Sequence, residues 1–305
     1  MAFTAKDVVA LREKTGCGMM DCKKALAASD GDMEAAVNFL REKGLAAAEK
    51  KSSRAAAEGI VTTYTENGVT VMVEINCETD FVGKTDEFKA FAEQVAKTVA
   101  ANKPADVDAL LETKIAGEDL TVAEAVREKV LVIGENIKVR RFAIYEGVVS
   151  SYIHMGGKIG VMVQFETTAD ASSDAFNAMA KDVAMQVAAA YPQYLDEASV
   201  PAEVLEKEKA ILVAQMKEDP KMANKPEQVL AKIVEGKIGK YYKENCLLDQ
   251  EFVKDGDLTV AKYVAGVAKD LGADVKVLGF TRFEKGEGLE KKADDFAAEV
   301  AGMVK

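Results

Sequence analysis

The sequence predicts an α+β protein. It reads as a three-helix N-terminal module, two repeated subdomains with small antiparallel sheets, a helical hairpin inserted in the second, and a C-terminal helix. Three observations carry this prediction. Residues 58–104 and 120–146 of the 305-residue chain are repeated, in order, by 146–192 and 258–284. Each copy opens with apolar residues at period two and continues with apolar residues at helical spacing. The stretch between Pro104 and Leu120 holds 15 residues, whereas that between Pro192 and Leu258 holds 65, so one copy carries roughly fifty extra.

Residues 1–45 form the first module. A helix is expected over 7–14, with Thr4-Ala5-Lys6-Asp7 as a capping-box analogue, and Thr15-Gly16-Cys17-Gly18 breaks it. A second helix over 20–29 is broken by Ser29-Asp30-Gly31-Asp32. Met33, Ala36, Val37 and Leu40 fall at i, i+3, i+4 and i+7, marking a third helix that Gly44 should end. Three short helices with glycine in the first turn resemble the ubiquitin-associated type of binding module. Residues 46–57, rich in Ala, Lys, Ser and Glu, lack an apolar stripe and read as a linker.

The first core copy spans 58–145. Glu58-Gly59-Ile60-Val61-Thr62-Thr63-Tyr64 leads through Glu66-Asn67-Gly68 to Val69, Val71, Val73 and Ile75. Alternation around an Asn-Gly turn predicts an antiparallel hairpin with one buried face. Cys77 is read as an ordinary strand position on the opposite face. Phe88, Phe91, Ala92, Val95 and Val99 then keep helical spacing behind Asp86, the expected N-cap. A short helix and a third strand near Ile137-Lys138-Val139 complete the copy.

The second copy spans 146–287. Glu146-Gly147-Val148-Val149-Ser150-Ser151-Tyr152 answers the first strand, and the longer turn His154-Met155-Gly156-Gly157 leads to Ile159, Val161, Val163 and Phe165. Residues 86–104 and 174–192 share ten identities in 19 positions, with Asp174 as the matching cap. The insertion, 193–257, reads as two helices over 201–218 and 226–245. Val204, Ile211 and Leu212 could zip against Val229, Ile233 and Ile238. Such a pair either projects as an interaction arm or packs back on its own domain. Residues 288–305 hold an amphipathic tail helix with Leu289, Phe296, Val300 and Met303.

The copies differ most where the hairpin ends. The first carries Thr79-Asp80-Phe81-Val82, while the second reads Ala169-Asp170-Ala171-Ser172 and is two residues shorter before its helix. What both copies share serves the fold, and an Asp-Phe-Val tip with no core position suits insertion into another molecule. The competing reading folds Phe81 back onto the next helix as a hydrophobic staple.

Composition excludes several classes. Forty basic against 51 acidic residues give −11, which argues against binding nucleic acid by phosphate neutralisation. No apolar run reaches the length of a membrane span. The four cysteines form no CxxC pair, and with a single histidine the spacing marks no common zinc set. Reduced thiols in a cytoplasmic protein are expected. An enzyme using Cys77 or Cys246 as nucleophile would need a nearby base, and neither has a histidine near it in sequence. There is no P-loop and no Gly-rich dinucleotide fingerprint, so no cofactor is expected.

Two longer motifs narrow the reading. Leu11-Arg12-Glu13-Lys14-Thr15-Gly16-Cys17-Gly18-Met19-Met20-Asp21-Cys22-Lys23-Lys24-Ala25-Leu26 and Glu74-Ile75-Asn76-Cys77-Glu78-Thr79-Asp80-Phe81-Val82-Gly83-Lys84 resemble the two signature segments of the bacterial translation elongation factor Ts family. The resemblance covers essentially the whole chain. One departure is Gly83, where Ser or Ala is expected; glycine there should make the loop more flexible. The resemblance implies a nucleotide exchange factor, not an enzyme of covalent chemistry, acting in the cytoplasm on the GTPase elongation factor Tu. It implies that Thr79, Asp80, Phe81 and Val82 dislodge the partner's Mg²⁺. It also implies that Arg12, Met19 and Met20 touch the partner's nucleotide-binding domain and that His154 makes a further contact. Without it, Arg12 is a surface residue, Met19 and Met20 are core or turn residues, and His154 is solvated. The helical insertion is a candidate element for a homodimer, though it lacks a sustained heptad. The rival function is a scaffold or adaptor built on the helical module, without exchange activity.

Overall fold

The computed structural model describes residues 3–218 and 225–290. They fall into two compact units. The first holds the described residues up to Ile144, Met155–Ile159, and those from Phe283 onward; the second holds Tyr145–His154 and Gly160–Arg282. The architecture is α+β; the described residues form two three-stranded sheets and one small two-stranded hairpin.

The first unit begins with α1 (Ala5–Thr15), α2 (Met19–Ala28) and α3 (Met33–Lys51). The Thr4 N–H donates to the Asp7 carboxylate at 2.6 Å, so the capping box forms. Gly16, at φ 67°, ends α1 and returns its N–H to the Arg12 carbonyl. Asp32 caps α3 by accepting from the Ala35 N–H at 2.7 Å. Gly44 does not end α3, which continues to Lys51 through much of the expected linker. Gly44 is buried against α7 (Val122–Ile133), where a Cβ would stand 3.4 Å from the Arg127 carbonyl oxygen. This glycine lets two helices approach closely. Leu11, Cys22, Ala25, Leu26, Ala36 and Leu40 form the module's core, joined by Leu131 and Val132 of α7.

The first core copy follows as β1 (Glu58–Glu66), β2 (Val69–Cys77), α4 (Asp80–Lys84), α5 (Asp86–Asn102), α6 (Val107–Leu111), α7 and β3 (Lys138–Glu146). Asn67 and Gly68, both at positive φ, make the hairpin turn. The strand order β1-β2-β3 puts β2 in the centre, and it is buried along its whole length rather than on one face. Val69, Val71, Val73 and Ile75 pack on Phe88, Phe91, Val95 and Val99 of α5. Cys77 belongs to this same cluster, because it lies two residues past Ile75 and keeps its parity. On the other face the buried Glu74 carboxylate accepts from Arg140 at 3.0 Å, Arg141 at 2.6 Å, Asn76 at 3.0 Å and the Gly286 N–H at 2.8 Å.

Thr85, not Asp86, caps α5, and Ser173, not Asp174, caps its counterpart α8 (Asp174–Ala190). The hydroxyl one residue earlier accepts the N3 amide, while the aspartate in the first turn faces the positive end of the helix dipole. Both helices have 17 residues and end on a left-handed residue, Lys103 or Tyr191.

The second unit contains β4 (Val148–His154), most of β5 (Ile159–Thr167), α8, α9 (Ala202–Glu218), α10 (Glu227–Asn245), β6 (Glu251–Phe252), β7 (Asp255–Thr259), α11 (Val260–Leu271) and most of β8 (Val275–Glu284). Its sheet runs β4-β5-β8. α9 and α10 pair through Leu205, Leu212, Val213 and Met216 against Leu230, Ile233, Val234, Ile238 and Tyr242. Leu212, Ile233 and Ile238 were expected in this seam. Ile211 and Val229 instead face solvent, and Val204 stays outside the seam. The hairpin β6–β7 had no signal in the sequence reading. Buried Gln186 and Gln250 tie it down: the Gln186 amide donates to Gln250 at 3.1 Å and accepts from the Val253 N–H at 2.8 Å. Among the described residues, no helix is long and apolar enough to cross a membrane. Beyond Glu290 the expected tail helix, with Phe296, Val300 and Met303, lies outside the described residues.

Candidate functional site

The segment 79–82 is no open loop tip: it starts a capped helical turn. β2 ends at Cys77, and Thr79 caps α4 by accepting from the Val82 N–H at 3.4 Å. The Cys77 thiol donates to the Thr79 carbonyl at 3.1 Å. Just past the end of α7, one Glu135 carboxylate oxygen accepts from the Glu78 and Thr79 N–H groups, both at 3.0 Å, and the other accepts from the Thr79 hydroxyl at 2.6 Å. Glu78 reciprocates by accepting from the Asn136 N–H at 2.7 Å.

Within this frame the side chains diverge. Val82 is half-buried and packs on the core of the first copy. Gly83 is buried against the backbone of Gly59, so it tightens the turn instead of loosening it. The Phe81 ring is 79% exposed and makes no staple. The Asp80 carboxylate pairs with Lys84, one helical turn on, and this hydrogen bond holds its pKa below the usual carboxylate range. The second copy has none of this. There the Asp170 carboxylate accepts from the N–H and hydroxyl of Ser172 at 2.8 and 2.7 Å, closing a local turn with no helix and no aromatic ring.

A second place groups Arg12, Met19 and Met20. Arg12 lies exposed in the last turn of α1, and the methionines open α2 across the three-residue connection Gly16–Gly18. Met19 and Met20 are 39% and 63% exposed, so neither is a core residue. His154 belongs to the second unit. It ends β4 rather than lying in the turn, is half-buried, and its Nδ1 lies 3.0 Å from the Tyr152 hydroxyl.

Sequence reasoning missed Glu135, Glu78 and Asn136. They join segments more than fifty residues apart, and no local periodicity signals such a pairing. Cys77 and Cys246 are unsuited to act as nucleophiles. All four are buried and free, and burial pushes the thiols of Cys77 up to about 12 and Cys246 up to about 11.

Comparison with known proteins gives a consistent answer. A family model described as elongation factor TS matches residues 78–287. The chain is 50% identical to elongation factor Ts of Syntrophotalea carbinolica over 308 residues, covering 100% of both chains. It is 51% identical to elongation factor Ts of Clostridium novyi, covering 97% of each. With elongation factor Ts of Magnetococcus marinus it shares 50% identity over 100% of this chain and 99% of the relative.

Proposed function

The chain belongs to the elongation factor Ts family, and we propose that it is a guanine-nucleotide exchange factor for the cytoplasmic GTPase elongation factor Tu. On this reading it perturbs the partner's Mg²⁺/GDP site and promotes GDP release and GTP reloading during translation elongation. It makes and breaks no covalent bond.

The observation that carries the mechanism is the exposed ring of Phe81 on a turn that Thr79 anchors through Glu135 and Val82 through the core. A GTPase holds GDP through a backbone cradle, a lysine, and a Mg²⁺ bridging protein and phosphate. A factor that prefers the nucleotide-free state weakens GDP binding by the same factor by which GDP weakens its own. Faster release therefore passes through a ternary complex in which both are strained. A rigidly mounted apolar ring suits that step, since its insertion between partner helices displaces them and its burial offsets part of the strain.

Magnitudes limit the wedge. Full burial of one such ring is worth roughly 1.5–3 kcal/mol, too little to eject tightly held GDP unaided. The remainder must come from loss of the Mg²⁺ contacts and from binding elsewhere. Arg12, Met19 and Met20 form one such grip and His154 another. Thr79 and Val82 mount the ring. Asp80, already paired with Lys84, orients the turn and offers its carboxylate to partner donors.

The test is stopped-flow release of a fluorescent GDP analogue from purified elongation factor Tu, with and without this protein. Acceleration that saturates with protein concentration is expected. An unchanged release rate overturns the reading.

A further inference from the structure

We propose that Glu135 is a positioning residue for the exchange reaction, holding Phe81 at the angle from which it enters the partner. The inference rests on the proposed exchange function. It adds a residue that touches neither partner nor nucleotide.

The geometry is unusual for a surface carboxylate. Glu135 follows Gly134, the left-handed cap of α7, and reaches across to the junction of β2 and α4. It accepts three hydrogen bonds there, from Glu78 N, Thr79 N and the Thr79 hydroxyl. The two amides would otherwise end β2 without a strand partner. The hydroxyl, by donating to Glu135, is oriented to accept the Val82 N–H and cap the turn. Glu135 thus fixes the chain direction one residue before the α4 helix begins and two before Phe81. Residue 136 completes a reciprocal clamp: its N–H donates to the Glu78 carboxylate, and its amide donates to the Arg54 carbonyl at 2.7 Å. Arg54 lies just past the end of α3, so the clamp joins the three-helix module to the root of the turn.

Five proteins decide the matter: wild type, Glu135→Ala, Glu135→Gln, Phe81→Ala and the double variant Glu135→Ala/Phe81→Ala. GDP release from elongation factor Tu is measured over a range of factor concentration. Glu135→Ala should lower the saturating rate about tenfold while moving the half-saturating concentration less than threefold. Glu135→Gln keeps a carbonyl acceptor for the two amides and should stay within about threefold of wild type. In the Phe81→Ala background, Glu135→Ala should add almost nothing, because it acts through a ring no longer present. If Glu135→Ala matches wild type, or its effect multiplies with that of Phe81→Ala, the inference is overturned while wild-type exchange still stands. If Glu135→Ala fails to fold, Glu135→Asp, one methylene too short, takes its place with the same double variant and the same two outcomes. Absence of exchange by wild type sinks the underlying function instead.

Discussion

Gly83 rests directly on Gly59. A Cβ at Gly83 would stand 2.9 Å from the Gly59 carbonyl oxygen, and one at Gly59, where φ is +122°, would stand 2.1 Å from the Ile75 carbonyl oxygen. Two glycines in contact thus seat the short helix α4 on the first hairpin. The two substitutions should differ in size. Gly59→Ala imposes both a disallowed backbone and a backbone clash, and should cost roughly 3 kcal/mol. Gly83→Ala gains about 0.5–1 kcal/mol of helix propensity against a tight contact, and should cost about 1 kcal/mol net. Urea denaturation midpoints measure both. A Gly83→Ala variant more stable than wild type would show that the contact yields freely.

Phe81 and Val82 are adjacent but should separate function from stability. Phe81→Ala removes a ring that is 79% exposed, so unfolding free energy should move by less than about 0.5 kcal/mol. If burial of the ring in the partner supplies roughly 1.5–3 kcal/mol, saturated GDP release should slow about ten- to hundredfold. Val82→Ala deletes methyl groups packed on the core and should lose about 1 kcal/mol of stability. Comparable exchange by Phe81→Ala and wild type removes the wedge.

The legible parts of the molecule were those written locally. Period-two rows gave the hairpins, helical stripes gave α5 and α8, and the comparison of copies isolated Thr79–Val82. Errors arose where a partner distant in sequence decides the outcome. Gly44 reads as a stop until α7 is known to lie against it, and Gly83 reads as slack until Gly59 is seen beneath it. Asp86 and Asp174 draw attention as caps because they are acidic, yet Thr85 and Ser173 one residue earlier have the right reach. Ile211 and Val229 are apolar but fall outside the seam that Leu205, Met216 and Val234 define. The exposure of Met20 could not be read from its chemistry, since methionine usually seeks the core, whereas that of Phe81 was legible only from the comparison of the two copies.

Glu74 should make stability depend on acid. Burial alone would raise its pKa, but the Gly286 N–H, Asn76, Arg140 and Arg141 outweigh that and hold it below the ordinary 4.5. A carboxylate depressed in the folded state contributes fully above its unfolded pKa and loses that contribution as pH falls through the folded value. Glu74→Gln should therefore cost roughly 3 kcal/mol at pH 7 by taking the buried carboxylate from Arg140 and Arg141, of which Arg141 keeps only the Glu287 carboxylate at 3.3 Å. The gap from wild type should begin to narrow below about pH 4.5 and close as the solution becomes more acidic. Urea unfolding of both proteins at pH 7, 5, 4 and 3 gives the comparison. A gap that is constant or widens toward pH 3 contradicts the assignment.

Grip and wedge should show different kinetic signatures. Met20 is 63% exposed at the start of α2, and the exposed Arg12 lies in the last turn of α1, across the short connection between the helices. Neither is needed by the module's core, which Leu11, Cys22 and Leu26 fill. Met20→Ala and Arg12→Ala should therefore leave unfolding within about 0.5 kcal/mol of wild type. If these residues bind the partner equally before and during GDP release, their loss raises the half-saturating concentration and leaves the saturating rate alone. A loss of about 1.4 kcal/mol of contact shifts half-saturation tenfold. On the proposed mechanism Phe81, by contrast, acts only when the nucleotide site is being distorted, so its removal should lower the saturating rate. Concentration series of GDP release on the three variants separate the two behaviours. A fall in saturating rate for Met20→Ala equal to that for Phe81→Ala would mean that the module helps force the nucleotide site open and does more than hold the partner.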